Sequence, residues 1–498
     1  MHPSFRVGFG LVGVVLLSAL GTLVSACEPS SSSSSGAPPA SSTFPTPTTT
    51  APPPPAPTTM PMPMPGSTAT PPDGHAWGPA VEISNSTFSN LRGDPHVGID
   101  AAGNAVAVWL EELGDNTRNA IWASHYSAGG AWSAPSTIDN TVGSASAPQV
   151  AMTPSGTAVA TFAQSESNQG GQVDLVTNRF TGTWATPATL SSMGSNPDHH
   201  VLAVGSDGAA TLAFQAPDAM FPRAWSARSS TTGTWAPATV MGSNAQPGWW
   251  PAVTVAPNGE AVMTWTETAG GPSTTSLWAS RTAGGVWQAP SLLTADVGQV
   301  LQSIIVGANA GGNAVALWSQ RLAGVYTLRS AHLNAGTGTW SAPVTVNDGT
   351  REALAPALGV DADGDAVAVW SETNYGVVAS RSSSSTASWS SPVLVQARST
   401  GGVAGTIPSV GVDAKGNAVA AWVSSVGSPP RPHVFAAHLA SAGNMWTTPI
   451  DLPLADPGAT PYASETQLSV NAKGEAIVVW HQQTDATAAT GIWGRVYR

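Results

Sequence analysis

One heptad-like segment, Gly103-Asn-Ala-Val-Ala-Val-Trp109, recurs seven more times along the chain. It returns as Gly156 to Phe162, Gly208 to Phe214, Gly259 to Trp265, Gly312 to Trp318, Gly364 to Trp370, Gly416 to Trp422 and Gly474 to Trp480. The closing aromatics lie 53, 52, 51, 53, 52, 52 and 58 residues apart. A second marker, a Trp followed two or three residues later by Pro, keeps the same period at Trp77, Trp132, Trp184, Trp235, Trp287, Trp340, Trp389 and Trp446. A period of this length means that one supersecondary unit repeats, each unit burying its apolar face against the next.

Alternation and turn residues divide the unit into four strands. In the first full unit, strand A is predicted from Pro95 to Asp100, strand B from Ala105 to Leu110, strand C from Ala120 to Tyr126 and strand D around Trp132 to Ile138. Four antiparallel strands repeated every 40 to 60 residues describe the blade of a β-propeller. The count also closes. The repeats open with a lone strand D, Trp77 to Ile83, and end with strands A, B and C, Gln467 to Val496. The orphan strand would complete the last sheet, which predicts an all-β, eight-bladed propeller over residues 74–498, with blades of about 52 residues. An open solenoid remains the alternative, although it has no use for complementary partial ends.

The repeat accounts for most of the 20 tryptophans. Eighteen fall at fixed positions in strands B, C or D, as core packing between sheets requires. Only Trp249 and Trp250 fall outside the pattern. A second regularity joins strands B and C. Glu111, Gln164, Glu267, Gln320 and Glu372 follow strand B, while His125, Arg179, Arg281, His332 and Arg381 end strand C. These are expected to pair across the hairpin as structural contacts; a catalytic arginine set is the sharper alternative.

The N-terminal region has a different character. Arg6, an apolar stretch from Val7 to Leu20 and the small residues before Cys27 describe a secretory signal, too short to span a bilayer. Val24-Ser25-Ala26-Cys27 resembles the lipobox of bacterial lipoproteins, which implies a signal peptide over 1–26 and lipid attachment at Cys27. Cys27 is the single cysteine of the chain, so no disulfide can form within one molecule. Glu28, where an Asp would favour retention in an inner membrane, weakly favours an outer-membrane or cell-surface address. Residues 27–73, dominated by Ser, Thr, Pro, Ala and Gly, read as a disordered, extended tether. Its Ser and Thr clusters are candidates for glycosylation; a bare spacer is the other reading.

A net charge of -12 argues against nucleic acid as a partner. Candidate ligand groups gather just before strand A, near the axis of the ring. The third unit has Asp198-His199-His200 and the fourth Gly248-Trp249-Trp250, while the first has Arg92 and Asp94, the sixth Arg351 and Glu352, and the eighth Glu465. Trp249 and Trp250 beside Asp198, His199, Asp94 and Glu465 suit a glycan, since the rings stack on C–H surface while the polar groups bind hydroxyls. Alternatively, the two tryptophans plug the mouth of the ring. Asp198, His199 and His200 have zinc-ligand chemistry, but neighbours in a strand point to opposite faces. Asp361, Asp363 and Asp365 resemble part of a calcium loop, yet they occupy a turn that other units build with ordinary turn formers. No other cofactor is expected.

The turns Gly182-Thr-Trp184 and Gly338-Thr-Trp340 resemble the Gly-x-Trp turns of sialidase propellers. The resemblance covers the repeat only: Trp370 follows Gly364 by six residues, not three, and the five tyrosines show no nucleophile arrangement with a Glu. Two functions stay open. One is a non-enzymatic, monomeric surface module, membrane-anchored through Cys27, that binds a glycan or protein. The other is a sialidase-like glycoside hydrolase.

Overall fold

The computed structural model describes residues 74–498 except 85–91, 114–117, 168–170, 191–196, 219–220, 243–245, 269–274, 295–302, 323, 399–405, 427–430, 453–461 and 484–489. The signal segment, Cys27 and the tether lie outside the described residues.

Eight antiparallel sheets follow one another, seven of them running A-B-C-D in chain order, and no α-helix occurs among the described residues. In the first, Arg92–Ile99 pairs Ala105–Glu112, which pairs Asn119–Tyr126, which pairs Ser136–Thr137. The eight A strands are Arg92–Ile99, Ala145–Met152, Asp198–Val204, Gly248–Val255, Ile305–Ala308, Ala353–Val360, Thr406–Val412 and Tyr462–Val470. Each touches the A strand of the next sheet, and the last touches the first. The sheets are therefore blades of a closed propeller with strand A innermost.

The eighth blade draws on both ends of the chain. Val81–Glu82 pairs with Thr490–Tyr497, Val81 opposite Gly494 and Glu82 opposite Trp493. Further along, Trp77 bridges Tyr497, and Ala76 and Arg498 exchange backbone hydrogen bonds of 3.0 and 3.2 Å. Strand D is shorter than the sequence suggests. In blade 1 it consists of an isolated bridge at Trp132 and the pair Ser136–Thr137, because Pro135 between them has no N–H for the ladder.

The core is eight seams rather than one interior. At every seam the strand B aromatic of the following blade is fully buried against the apolar face of the preceding one. Trp318 packs on Val262 and Leu277, Trp370 on Leu317 and Leu328, and Trp480 on Val434 and Ala436. The last seam joins Trp109 to Ile477, Val479 and Ile83, so closure has the same chemistry as every other contact.

Burying an indole strands its N–H, and the acidic or amide residues after strand B resolve this. Trp109 donates to Glu111 (2.9 Å), Trp265 to Glu267 (3.1 Å), Trp318 to Gln320 (3.2 Å), Trp370 to Glu372 (3.1 Å) and Trp480 to Gln482 (3.1 Å). Residues i and i+2 share a strand face, so the acceptor arrives automatically. In blade 7 the residue two beyond Trp422 is Ser424, and the indole turns to Gln396. This corrects the expected hairpin pairing. In an antiparallel hairpin the end of strand C lies opposite the start of strand B, so His125 faces Val106 while Glu111 faces Ala120.

The basic residues act across seams instead. Arg179 donates to the carbonyls of Gly208 and Thr231, Arg228 to those of Gly259 and Gly285, Arg281 to Ala335 and Arg381 to Ser441. Each guanidinium clips one blade to turns of the next.

Around the axis, glycine permits the inner strands to approach. A Cβ on Gly307 would come within 2.7 Å of Val360, and one on Gly98 within 2.9 Å of Met152. Polar side chains supply the links that no backbone ladder makes here. The Gln149 amide donates to the His200 carbonyl and accepts from the Leu202 N–H.

Candidate functional site

Most candidate residues lie within strand A, not before it; Arg351 and Glu352 precede Ala353–Val360. In seven of the eight A–B pairings the register slips near the start of strand A, as between Gly93 and His96 or Trp249 and Ala252. The slip falls at a fixed place, fifteen residues before the strand B aromatic. The residues there are Asp94, Ala147, His199, Trp250, Ser303, Ala355, Ile407 and Glu465.

Six of the eight have left-handed backbones: Asp94 (φ 49°), Ala147 (49°), His199 (40°), Trp250 (52°), Ala355 (48°) and Glu465 (54°). Such a conformation costs a non-glycine residue about 1–3 kcal/mol. Because Ala147 and Ala355 share it, the strain belongs to the blade architecture and not to a binding function. The bulge re-aims one side chain per blade, and what varies around the ring is the identity of that residue.

That variation is one-sided. Blades 8, 1, 3 and 4 place Glu465, Asp94, His199 and Trp250 at the bulge, with Ala147 of blade 2 between the pairs. Blades 5, 6 and 7 place Ser303, Ala355 and Ile407 there. An arc of acid, imidazole and indole thus faces an arc of small or aliphatic groups.

Two contacts organise the first arc. The Asp94 backbone N–H donates to Glu465 Oε2 at 2.9 Å, and Gly93 leaves room for that carboxylate, since a Cβ there would lie 3.1 Å from Oε2. Burial, and then the neighbouring Glu465 charge, push the Asp94 carboxyl up to about 6. Burial also raises Glu465, partly offset by the hydrogen bond from Asp94. On the other side the His199 ring meets Trp250 edge-on, with centroids 5.3 Å apart. Both are half-buried, and Trp250 also leans on the seam between blades 4 and 5.

The remaining candidates stand apart. Trp249 pairs with Thr266, whose Oγ1 donates to the Trp249 carbonyl. Asp198 is exposed and accepts the His199 N–H. His200 is buried, its Nε2 has no hydrogen-bond partner among the described residues, and burial lowers its imidazole to about 3. Arg351 lies 4.0 Å over the Tyr375 ring and 3.8 Å from both Asp348 and Glu372. The backbone carbonyl of Glu352 accepts from Thr373. Arg92 pairs through its backbone with Glu111.

Asp361 accepts the N–H groups of Asp363 and Asp365, and Arg381 lies 3.7 Å from Asp361 and 3.9 Å from Asp365. Asp100 and Asp413 cap the matching turns of blades 1 and 7 in the same way. Among the described residues no three His, Cys, Asp or Glu side chains converge as a metal-binding group.

Sequence reading missed His96. Its imidazole is lowered to about 4 by burial and shares an electrostatic environment with His200 two blades away. His96 lies two positions beyond the bulge, in the register slot of Gln149 and Ser409, which bond to the next A strand. The repeat frame could have exposed it.

The molecule is an eight-bladed propeller, and its structural neighbours are sialidase-like and other propellers. The NanB sialidase of Streptococcus pneumoniae matches with a TM-score of 0.38 at 8% identity, covering 84% of this chain and 97% of that one. A Penicillium chrysogenum α-L-arabinanase matches at 0.37 and 14%, covering 60% and 92%. A prolyl endopeptidase matches at 0.44 and 10%, covering 80% of this chain and 55% of that one. No protein-family model and no curated protein sequence matches the chain.

Proposed function

We propose that this propeller is an extracytoplasmic binding module that recognises a glycan through the arc Trp250, His199, Asp94 and Glu465, held at a membrane by lipid on Cys27. One observation carries the reading. At one repeat position of strand A, blades 8, 1, 3 and 4 carry Glu465, Asp94, His199 and Trp250 on either side of Ala147, while blades 5, 6 and 7 carry only Ser303, Ala355 and Ile407.

The chemistry narrows the ligand class. A half-buried indole offers a flat apolar face to C–H groups, and a neighbouring imidazole and two carboxyls offer hydrogen bonds to hydroxyls. Asp94, with its carboxyl at about 6, is mostly ionised at neutral pH, which repels an anionic sugar and favours a neutral or amino sugar. A second reading, glycoside hydrolysis, draws support from Asp94. A carboxyl that titrates near 6 beside a second carboxyl has the composition of a general-acid pair.

A glycan array probed with the purified full chain tests both. Saturable binding of neutral or amino-sugar oligosaccharides, weakened at least tenfold by Trp250→Ala, is the expected result. Unchanged recognition of every glycan by Trp250→Ala removes the arc from the function. Glycoside turnover abolished by Asp94→Asn replaces the binding module with the hydrolase.

A further inference from the structure

The seam between blades 5 and 6 holds a cavity at the opposite end of the blades, where the A–B and C–D turns lie. In four seams the strand C residue opposite the second residue of strand B is an arginine (Arg179, Arg228, Arg281, Arg381) that crosses to carbonyls of the next blade. In three the residue is histidine, too short to reach those carbonyls, and in the eighth it is Val496. Two of those seams compensate with a ring from the next blade: His125 meets Phe180 with centroids 5.6 Å apart, and His438 meets Tyr497 at 4.4 Å. At the third, the matching residue is Ser382, whose Oγ lies 3.4 Å from His332 Nε2. The Trp389 ring of blade 6 also meets His332, with centroids 6.3 Å apart, and beside this contact the seam contains a cavity of about 300 Å³.

We infer that this cavity is a second binding site, for a single neutral sugar or polyol, distinct from the axial arc. Its volume reaches the lower end of the range that small-ligand sites span and far exceeds the ~30 Å³ share of one water. Trp340 lines it while packing its other side on the core of the neighbouring seam. Around the indole stand the Asn313 and Asn334 amides, the Ser341 and Ser384 hydroxyls and the His332 imidazole. No Asp, Glu, Lys or Arg lines it, and burial keeps His332 neutral by lowering its pKa. An aromatic wall with amides and hydroxyls but no charge suits a ligand with an apolar C–H face and several hydroxyls. It offers no opposite charge to an anion or a cation. The groove two seams earlier sets a contrast of chemistry: at about 460 Å³ it is larger and more open, but it is lined by the Arg228 guanidinium, which spans the gap to Gly285 beside Trp235.

The test titrates glucose, galactose, mannose and glycerol, with glucuronate as the charged control, into the full chain by ligand-observed NMR and tryptophan fluorescence. A millimolar Kd for at least one neutral compound and none for glucuronate is expected. His332→Arg restores the side chain that four other seams tolerate, so it should weaken binding at least tenfold while leaving the Tm unchanged. Should that variant fail to fold, Ser384→Trp at an exposed turn blocks the same space. Trp250→Ala should leave this binding intact, which separates it from the axial arc. The inference is overturned by failure of every neutral compound to saturate up to about 100 mM. Binding that survives both blocking variants, or that Trp250→Ala abolishes, overturns it equally.

Discussion

The backbone N–H of Asp94 and the carboxylate of Glu465, 371 residues apart in sequence, form a hydrogen bond of 2.9 Å. Closure of the ring makes them neighbours, since strand Arg92–Ile99 of blade 1 touches strand Tyr462–Val470 of blade 8.

Glu465→Gln keeps an oxygen for the Asp94 N–H but removes the charge. Burial is the larger cause of the Asp94 shift, so the carboxyl should titrate below about 6 yet stay above its ordinary 3.8. A carboxyl carbon NMR titration reads this directly. An Asp94 midpoint still at about 6 in the variant would remove Glu465 as a cause.

Acid should weaken the fold through His200. Its folded-state pKa is about 3 against an ordinary 6.5, so below pH 6.5 the unfolded chain binds a proton that the folded chain refuses. Stability therefore falls on acidification, by about 2–3 kcal/mol between pH 6.5 and 4.5 for this one group. Asp94 acts in the opposite sense. Its raised pKa lets the folded state hold a proton longer, so its contribution is lost as pH rises from 3.8 to about 6. Denaturation of His200→Gln across this range should show a smaller acid loss than the native chain; an equal loss would acquit His200.

Trp77→Ala should destabilise the ring by about 2–3 kcal/mol, less than a fully buried tryptophan would cost. The indole is half-exposed, stacks 5.1 Å from Tyr497 and donates to His438 at 3.3 Å. Chemical denaturation measures the loss, and a change under 0.5 kcal/mol would contradict its part in closure.

Gln320→Leu leaves the Trp318 N–H buried without its acceptor, at a cost of about 1–3 kcal/mol. The double variant Trp318→Phe with Gln320→Leu should lose less than the two single losses added together, because Phe162 and Phe214 fill the same position without an N–H to satisfy. Strict additivity in that cycle would show that the indole and amide do not act as a unit.

Gly307→Ala should cost about 1–3 kcal/mol in the same assay, because its Cβ would press within 2.7 Å of Val360. An unchanged midpoint would mean that the inner strands do not pack as closely as described.

The repeat made the architecture legible in the sequence: period, strand order, the complementary ends and the aromatic at every seam. Such features are local or recur at a fixed spacing, and strand alternation translates them directly into faces. The partners of Glu111 and Arg179 escaped that reading, because a hairpin sends its strand ends to opposite sides and the satisfying contacts lie within one strand or across a seam. The candidate arc was half visible. Asp94, His199, Trp250 and Glu465 stood out by residue type, but Asp198 and Trp249 stood out equally and lie apart from the two contacts that define the arc. Only the three-dimensional ring decided which side chains meet, because a single-residue bulge sets direction in each blade and closure sets which blades adjoin.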